Sequence, residues 1–450
     1  MNNLTNIDEQ IINHLSEKIE RDNDYLDFLG SSTKTLTHSY HTYPAMMIPQ
    51  LAKEFIEMTM HYNPDISTLY DPFMGSGTSI VEGITHNLES YGIDINPLSL
   101  MMTKAKTTPI EPDYLNNSIL QFMSDLNTMN DLNNRGIYKI KNIPNFNNIE
   151  FWFKEEVIEK LQLIKNAINE FDDINLINFF KAAFSETVRY VSNTRNNEFK
   201  LYRMPPAKLE EWSPNVLEYF LKKVLNNQKG NTLLYKKLQE VQNPKPIVNI
   251  QNNSNIRLPN VYKNEMFDIV VTSPPYGDSG TTVAYGQFSR LSLQWLDLKI
   301  DEETNINQLD KIMLGGKVDK LNDPNYTLVF LQSPTLNKVY SLIEEKDPKR
   351  AKEVLQFYVD LDKSIQETTR VMKKGSYQYW VVANRTVKMI NIPTDIIVAE
   401  LFEKYNVKHL HSFYRKIPNK RMPSKNSPTN KIGNHSVTMT SEIILMLKKL

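Results

Sequence analysis

Between residues 46 and 60 the apolar positions Met47, Ile48, Leu51, Phe55, Ile56 and Met60 fall at helical spacing, with Pro49 early enough for a helix to tolerate it. A short strand over 67–70, a glycine-rich turn, a helix over 79–86 and a second strand over 91–94 follow. A strand, turn, helix and strand in this order open a doubly wound parallel sheet. From 108 to 242 the pattern turns helical and asparagine-rich, most clearly over 157–168 and 176–191, with no run suited to a parallel strand. Strands resume at 247–250 and at 267–272, the latter a continuous apolar run of the kind buried on both faces. Residues 298–349 form a second, irregular insertion rich in charge and asparagine. A helix over 351–372 is expected to stop at Lys374-Gly375, followed by a strand at 377–382, a helix at 394–404 and a last strand at 442–447. The predicted organisation is one α/β core assembled from 1–107, 246–297 and 350–450, interrupted by a helical insertion at 108–245 and a second insertion at 298–349.

A chain of 450 residues can bury a sizeable core. No apolar run approaches the length needed to span a bilayer and the N-terminus is polar, so a soluble, cytoplasmic protein is the expectation. Lysine plus arginine equals aspartate plus glutamate at 52 each, which leaves any nucleic-acid partner to be argued from local charge. The absence of cysteine excludes disulfides, thiolate metal sites and any cysteine nucleophile. The 8 histidines show no metal-ligand spacing, and no metal is expected.

The turn DPFMGSGT at 71–78 joins a strand to a helix, and Gly75 and Gly77 allow the backbone N–H groups and the helix N-terminus to approach a ligand. Thr78 follows Gly77 with no lysine before it, unlike a phosphate-binding P-loop. Asp94 ends the next strand about twenty residues on, where doubly wound folds bind a ribose. A nucleoside ligand is implied.

Ser273-Pro274-Pro275-Tyr276 follows the buried strand at 267–272. Two prolines make a rigid extended corner at the edge where open α/β sheets bind ligands. An exocyclic amine on a nucleobase is a poor nucleophile, because its lone pair is delocalised into the ring. Two acceptors aimed at its hydrogens, Ser273 Oγ and the Pro274 carbonyl, would draw the nitrogen toward tetrahedral geometry, and Tyr276 would stack on a flipped base.

These segments, with HTYPA at 41–45, YGIDINP at 91–97 and TSPPYGDS at 272–279, resemble the DNA amino-methyltransferases that modify cytosine N4 or adenine N6, most closely the cytosine-N4 enzymes of restriction–modification systems. The resemblance implies a Rossmann-like fold and S-adenosylmethionine as cofactor. It places Tyr43 and Pro44 beside the methionine part, Asp71, Phe73, Gly75, Gly77 and Thr78 around the cofactor, and Asp94 on the ribose hydroxyls. Ser273, Pro274, Pro275 and Tyr276 would hold the target base. Serine at the first of these positions resembles the cytosine-N4 subgroup. Where the family often carries an acidic residue after the third strand this chain reads Gln251-Asn252-Asn253-Ser254, which leaves Asn253 to face the adenine edge without a carboxylate.

Double-stranded DNA is the implied substrate, and a cognate restriction endonuclease system is a candidate partner. From 404 to 441 no acidic residue occurs, and Arg415, Lys416, Lys420, Arg421, Lys425 and Lys431 suit a DNA-facing loop that contacts phosphates. In the helical insertion Arg189, Tyr190, Arg195, Lys200, Tyr202, Arg203 and Lys208 interleave charge with aromatics, a composition compatible with DNA contact. Residues 280–290 are expected to form a mobile loop over the bound base, with Tyr285, Gln287 or Arg290 filling the gap left in the duplex. Adenine-N6 methylation, an RNA substrate and a catalytically silent nucleic-acid-binding protein are the competing readings.

Overall fold

A computed structural model of the chain describes residues 6–195, 198–241, 248–278, 281–318, 324–417, 425–426, 436–437 and 441–450. Its centre is a seven-stranded sheet built from β1 (Thr68–Asp71), β2 (Glu89–Asp94), β3 (Val248–Asn252), β4 (Phe267–Thr272), β5 (Met372–Val382), β6 (Val407–Lys416) and β7 (Ser441–Lys449). The strands lie in the order β3-β2-β1-β4-β5-β7-β6. Strands β1 to β5 pair in parallel, and β7 runs antiparallel between β5 and β6. This is a doubly wound, Rossmann-like α/β fold. The order reverses between β1 and β4, the switch point beside which such sheets bind ligands at their C-terminal edge.

Side-chain alternation along the strands feeds two cores. Leu69, Ile269, Val271, Tyr379, Val381, Ile444 and Met446 face the helices Asn6–Arg21, Pro49–Tyr62 and Thr78–Thr85. There Phe55 stacks on Tyr379 with ring centroids 4.6 Å apart, and the Tyr379 hydroxyl lies 2.9 Å from Thr59 Oγ1. On the opposite face Tyr70, Phe267, Val270, Trp380, Val382 and Leu445 pack under the helices Pro334–Glu344, Pro348–Val371 and Thr394–Glu403. A third core joins Pro97–Thr107 to the inserted helices Pro112–Asn134, Glu155–Ile168, Ile174–Val191 and Val216–Gln239 and to Tyr285–Trp295, around Phe122, Phe180 and the fully buried Trp295.

Three expectations are corrected. The insertion at 298–349 is not irregular throughout, because Pro334–Glu344 is a helix capped by Ser333 whose Leu336, Val339, Tyr340 and Ile343 enter the sheet core. The long helix ends at Val371 rather than at Lys374-Gly375, and β5 starts at once. Gly375, at φ 78°, sits instead in a register shift where the pairing moves from Phe267 with Met372 to Ile269 with Tyr377. Part of the expected basic loop is the strand β6, in which Lys416 is exposed at the sheet edge and Arg415 is buried.

The N-terminal ends of three strands meet at Asp268. Its Oδ2 accepts hydrogen bonds from the backbone N–H of Ser67 (3.0 Å) and Thr68 (3.1 Å) and from Thr68 Oγ1 (2.8 Å), while Oδ1 takes Lys373 Nζ at 2.7 Å. Burial alone would raise this carboxyl, but the bonds from Lys373, Ser67 and Thr68 outweigh it and hold the pKa below its ordinary value. The stabilisation is therefore complete above the unfolded value and lost as pH falls through the folded one. Asp268→Ala is expected to lower unfolding free energy by about 2 kcal/mol at pH 7 in urea titrations. The difference from wild type should shrink once pH drops below about 4.

Candidate active site

The C-terminal edge of the sheet opens into a cleft lined by Tyr43, Pro44, Asp71, Phe73, Gly75, Thr78, Asp94, Asn253, Ser273 and Pro275 among others. Residues expected to hold a cofactor and residues expected to hold a base thus share one cavity. Gly77 and Pro274 are not part of the lining, and Tyr276 stands behind Ser273, tied to the strands that follow.

The floor is the glycine-rich turn. Gly75 and Gly77 both take left-handed backbone conformations, at φ 48° and 75°. A Cβ on Gly77 would lie 2.6 Å from Thr103 Oγ1, whereas one on Gly75 would meet the Tyr43 ring at 3.5 Å. The helix starting at Thr78 therefore presents its N-terminus to the cleft along bare backbone. Beneath the turn lies Lys106, only 2% exposed, whose Nζ donates to the Ser76 carbonyl at 2.6 Å. Burial pushes its ammonium down to about 7.

Two carboxylates frame this floor. Asp71 accepts from Phe73 N (2.9 Å), from Thr272 Oγ1 (2.6 Å) and from Ser79 Oγ, which couples β1, β4 and the helix after the turn. Asp94 accepts from Gly75 N at 3.0 Å and from Asn96 N at 2.8 Å. Burial raises both carboxyls to about 6 against these stabilising bonds. Each Asp94 oxygen keeps a lone pair for the hydroxyl of a ligand. The Asn253 backbone N–H donates to the Asp94 carbonyl at 3.2 Å, so the segment without a carboxylate is pinned to the tip of β2.

Tyr43 reaches the cleft because both sides of its segment are fastened. Its hydroxyl accepts from Asn96 Nδ2 (3.1 Å) and Ser99 Oγ (2.9 Å). Next to it the Thr42 backbone N–H and hydroxyl donate to Glu186 at 3.1 and 2.9 Å. Burial lowers the His41 pKa against the pull of Glu186; Nδ1–H donates to the Thr42 carbonyl at 2.6 Å, and Nε2 lies 2.8 Å from Ser185 Oγ. The inserted helix Ile174–Val191 thereby holds the wall of the cleft.

Ser273 Oγ lies 3.2 Å from the Val381 carbonyl and 3.3 Å from Tyr276 Oη. With its proton given to either acceptor inside the protein, its lone pairs remain for a donor in the cleft. Past the turn, Asp278 is buried between Arg350 (2.9 Å) and Arg385 (3.1 Å), and a Cβ on Gly277 would strike the Arg385 guanidinium. The corner is clamped at both ends.

Several of the residues expected to meet DNA lie elsewhere. Arg415 is 5% exposed, pairs with Glu442 and donates from Nε to the Leu26 carbonyl at 3.0 Å, so its guanidinium faces the interior and offers no phosphate contact. Lys416 is exposed and pairs with Asp24 at 2.8 Å. Lys420, Arg421 and Lys431, and the side chain of Lys425, lie outside the described residues. Arg189 is buried against the Phe288 ring, 4.0 Å from its centroid. The stretch from Tyr285 is not a loop but the helix Tyr285–Trp295: Tyr285 packs on Tyr43 and lines the cleft, Gln287 Oε1 accepts from Leu201 N at 3.4 Å, and Arg290 is half-buried near Asp310. Of the interleaved segment, Phe199 and Tyr202 keep exposed rings, Tyr190 stacks on Tyr219 with centroids 3.7 Å apart, Arg195 lies over Tyr202 and Arg203 over Phe151.

Sequence reasoning missed Asn255, which donates to the Pro72 carbonyl at 2.7 Å, and Ile312, Met313 and Leu314, which close the cleft from the second insertion. It also missed Lys106 and Glu442. None stands in a motif; only the fold brings them to the edge.

The chain is 69% identical over 450 residues to a protein named type II methyltransferase M.MvaI from Kocuria varians, a match covering 100% of this chain and 99% of that relative. It is 31% identical over 99 residues to type II methyltransferase M.MjaII from Methanocaldococcus jannaschii, covering 22% of this chain and 18% of the other. No protein-family model matches the chain.

Gly77→Ala should destabilise the protein by about 1–3 kcal/mol in urea unfolding, from the left-handed backbone and the encounter with Thr103. Gly75→Ala, whose Cβ would make only ordinary contact with the Tyr43 ring at 3.5 Å, should cost less.

Proposed function

The chain belongs to the type II methyltransferases, and from that premise we propose that it transfers a methyl group from S-adenosylmethionine to the exocyclic amino group of a base flipped out of double-stranded DNA, with cytosine N4 the favoured target. One observation carries the reading: Asp94, Gly75 and Tyr43 line the same cleft as Ser273 and Pro275, so a nucleoside cofactor and a base would meet in one cavity.

The cleft fits the cofactor on its own chemistry. Bare backbone at Gly75, the Thr78 helix N-terminus and the half-buried Asp94 acceptor suit a nucleoside with a ribose, and Tyr43 and Pro44 flank the opposite side. S-adenosylmethionine supplies an activated methyl on a sulfonium, which leaves the protein the work of positioning. Ser273 does that work on the substrate side. Its hydroxyl proton is engaged by Val381 or Tyr276, so its lone pairs receive an N–H from the base amine. That bond strengthens as the nitrogen turns tetrahedral and acquires charge.

Serine in the first position of the turn, together with the resemblance to cytosine-N4 enzymes, supports cytosine over adenine. The exposed rings of Phe199 and Tyr202 with Arg195 and Arg203 support the segment that follows the helix Ile174–Val191 as a surface that meets DNA. The type II relative supports a restriction–modification setting with a cognate endonuclease. Among the described residues no helix is long and apolar enough to cross a membrane.

Incubating duplex DNA with methyl-labelled cofactor, digesting it to nucleosides and identifying the labelled base tests the reading. Label is expected on cytosine N4, and Ser273→Ala should lower the single-turnover rate by about a hundredfold. Label on adenine N6 would reassign the target, and label on cytosine C5 would end the amine mechanism. Cofactor affinity should also follow Asp94: an ionised carboxylate accepts hydroxyl donors more strongly, and its carboxyl titrates at about 6. Calorimetric Kd should fall roughly tenfold from pH 5 to pH 7, and Asp94→Asn should flatten that slope.

A further inference from the structure

The geometry points to a proton exit built into the fold: a hydrogen-bonded chain from Ser273 through Tyr276 to Glu442 carries away the proton that the methylated amine must lose. This inference rests on the amine-methylation reading and adds to it the fate of the proton and the residue that receives it.

Glu442 opens β7, about 170 residues from the turn it serves, and it is brought there because β7 inserts between β5 and β6. The Tyr276 hydroxyl donates to Glu442 Oε1 at 2.7 Å. With that proton committed, Tyr276 Oη is the acceptor in its 3.3 Å pairing with Ser273 Oγ. Ser273 Oγ has two acceptors for its one proton, the Val381 carbonyl at 3.2 Å and Tyr276 Oη at 3.3 Å, and when it donates to the tyrosine the chain runs from serine to tyrosine to carboxylate, away from the cleft. Burial first, and then the negative charge of Glu442, hold the Tyr276 phenol well above its ordinary value, so the tyrosine passes a proton on without resting as an anion. The groups facing the Glu442 carboxylate are Tyr276 from the turn and Arg415 from β6, whose Nη1 bonds Oε2, with the Tyr285 phenol beyond Tyr276. Arg415 holds the carboxylate in place through Oε2 and leaves Oε1 to the tyrosine.

The step balances. The amine lone pair forms the nitrogen–carbon bond while the carbon–sulfur bond breaks with its electrons left on sulfur. The nitrogen then carries one proton too many. That proton passes to Ser273 Oγ as the serine proton moves to Tyr276 Oη and the tyrosine proton moves to Glu442 Oε1, which turns the carboxylate into the acid until solvent takes the proton. Ser273 and Tyr276 are as they were. Glu442 touches no reacting atom; it is a positioning residue that also accepts the proton through Tyr276.

Glu442→Gln keeps an acceptor for the tyrosine but cannot take a proton, and Tyr276→Phe breaks the chain while sparing the Glu442–Arg415 pair, so that a folding defect in the first variant does not decide the matter. With wild-type methylamino product identified first, both variants are expected to lose about a hundredfold in single-turnover rate. Cofactor and DNA Kd should stay within about twofold of wild type, the size of an uncoupled change. Infrared difference spectra during turnover should show the carbonyl band of a protonated carboxylic acid in the wild type and not in Glu442→Gln. A Glu442→Gln or Tyr276→Phe enzyme with wild-type rate, or a Glu442→Gln enzyme that keeps that band, overturns the relay alone. A loss of rate matched by an equal loss of DNA binding overturns it in favour of a structural role. A wild type that yields no methylamino base overturns the underlying reading and the relay with it.

Discussion

Two N–H groups converge on one half-buried carboxylate, and the site is organised around that meeting. Asp94 receives Gly75 from the glycine-rich turn and Asn96 from the start of the next helix. Asn96 in turn caps that helix through Leu98 N and donates to Tyr43 and to Ser289, which belong to the N-terminal segment and to the helix Tyr285–Trp295. Buried polar groups cannot be left unpaired without a cost of about 1–3 kcal/mol each. The connected set therefore has few alternative arrangements. The cavity is shaped by that satisfaction more than by the apolar side chains around it.

A second constraint comes from the sheet. Asp71 at the tip of β1 bonds Thr272 at the tip of β4, which sets the distance across the switch point between the glycine-rich turn and Ser273. Burial raises the Asp71 and Asp94 carboxyls alike, so each ionised form is held at some expense to stability, as is common where a site is preorganised.

What the sequence revealed follows physical range. The unit from β1 to Asp94 and the strand Phe267–Thr272 were legible because apolar runs and glycines act locally, and DPFMGSGT and SPPY each fix their own backbone. The strand β6 was not, since His409, His411, Arg415 and Lys416 interrupt its apolar positions and look like a basic loop until β7 is seen to bury one side of them. Arg415 illustrates the failure: an arginine in an acid-free stretch reads as a phosphate ligand, and only the partner at Glu442, from the neighbouring strand, makes it an interior residue. The helix Pro334–Glu344 was hidden for the opposite reason, because its apolar face is bounded by charged stretches that dominate a window of that length.

The hook between Thr42 and Glu186 ties the inserted helices to the cleft. The helix Ile174–Val191 grips the segment carrying Tyr43, through Ser185 on His41 and Glu186 on Thr42. A change that shifts this helix therefore moves a wall of the cleft with it, so the insertion and the segment 41–43 behave as one mechanical unit.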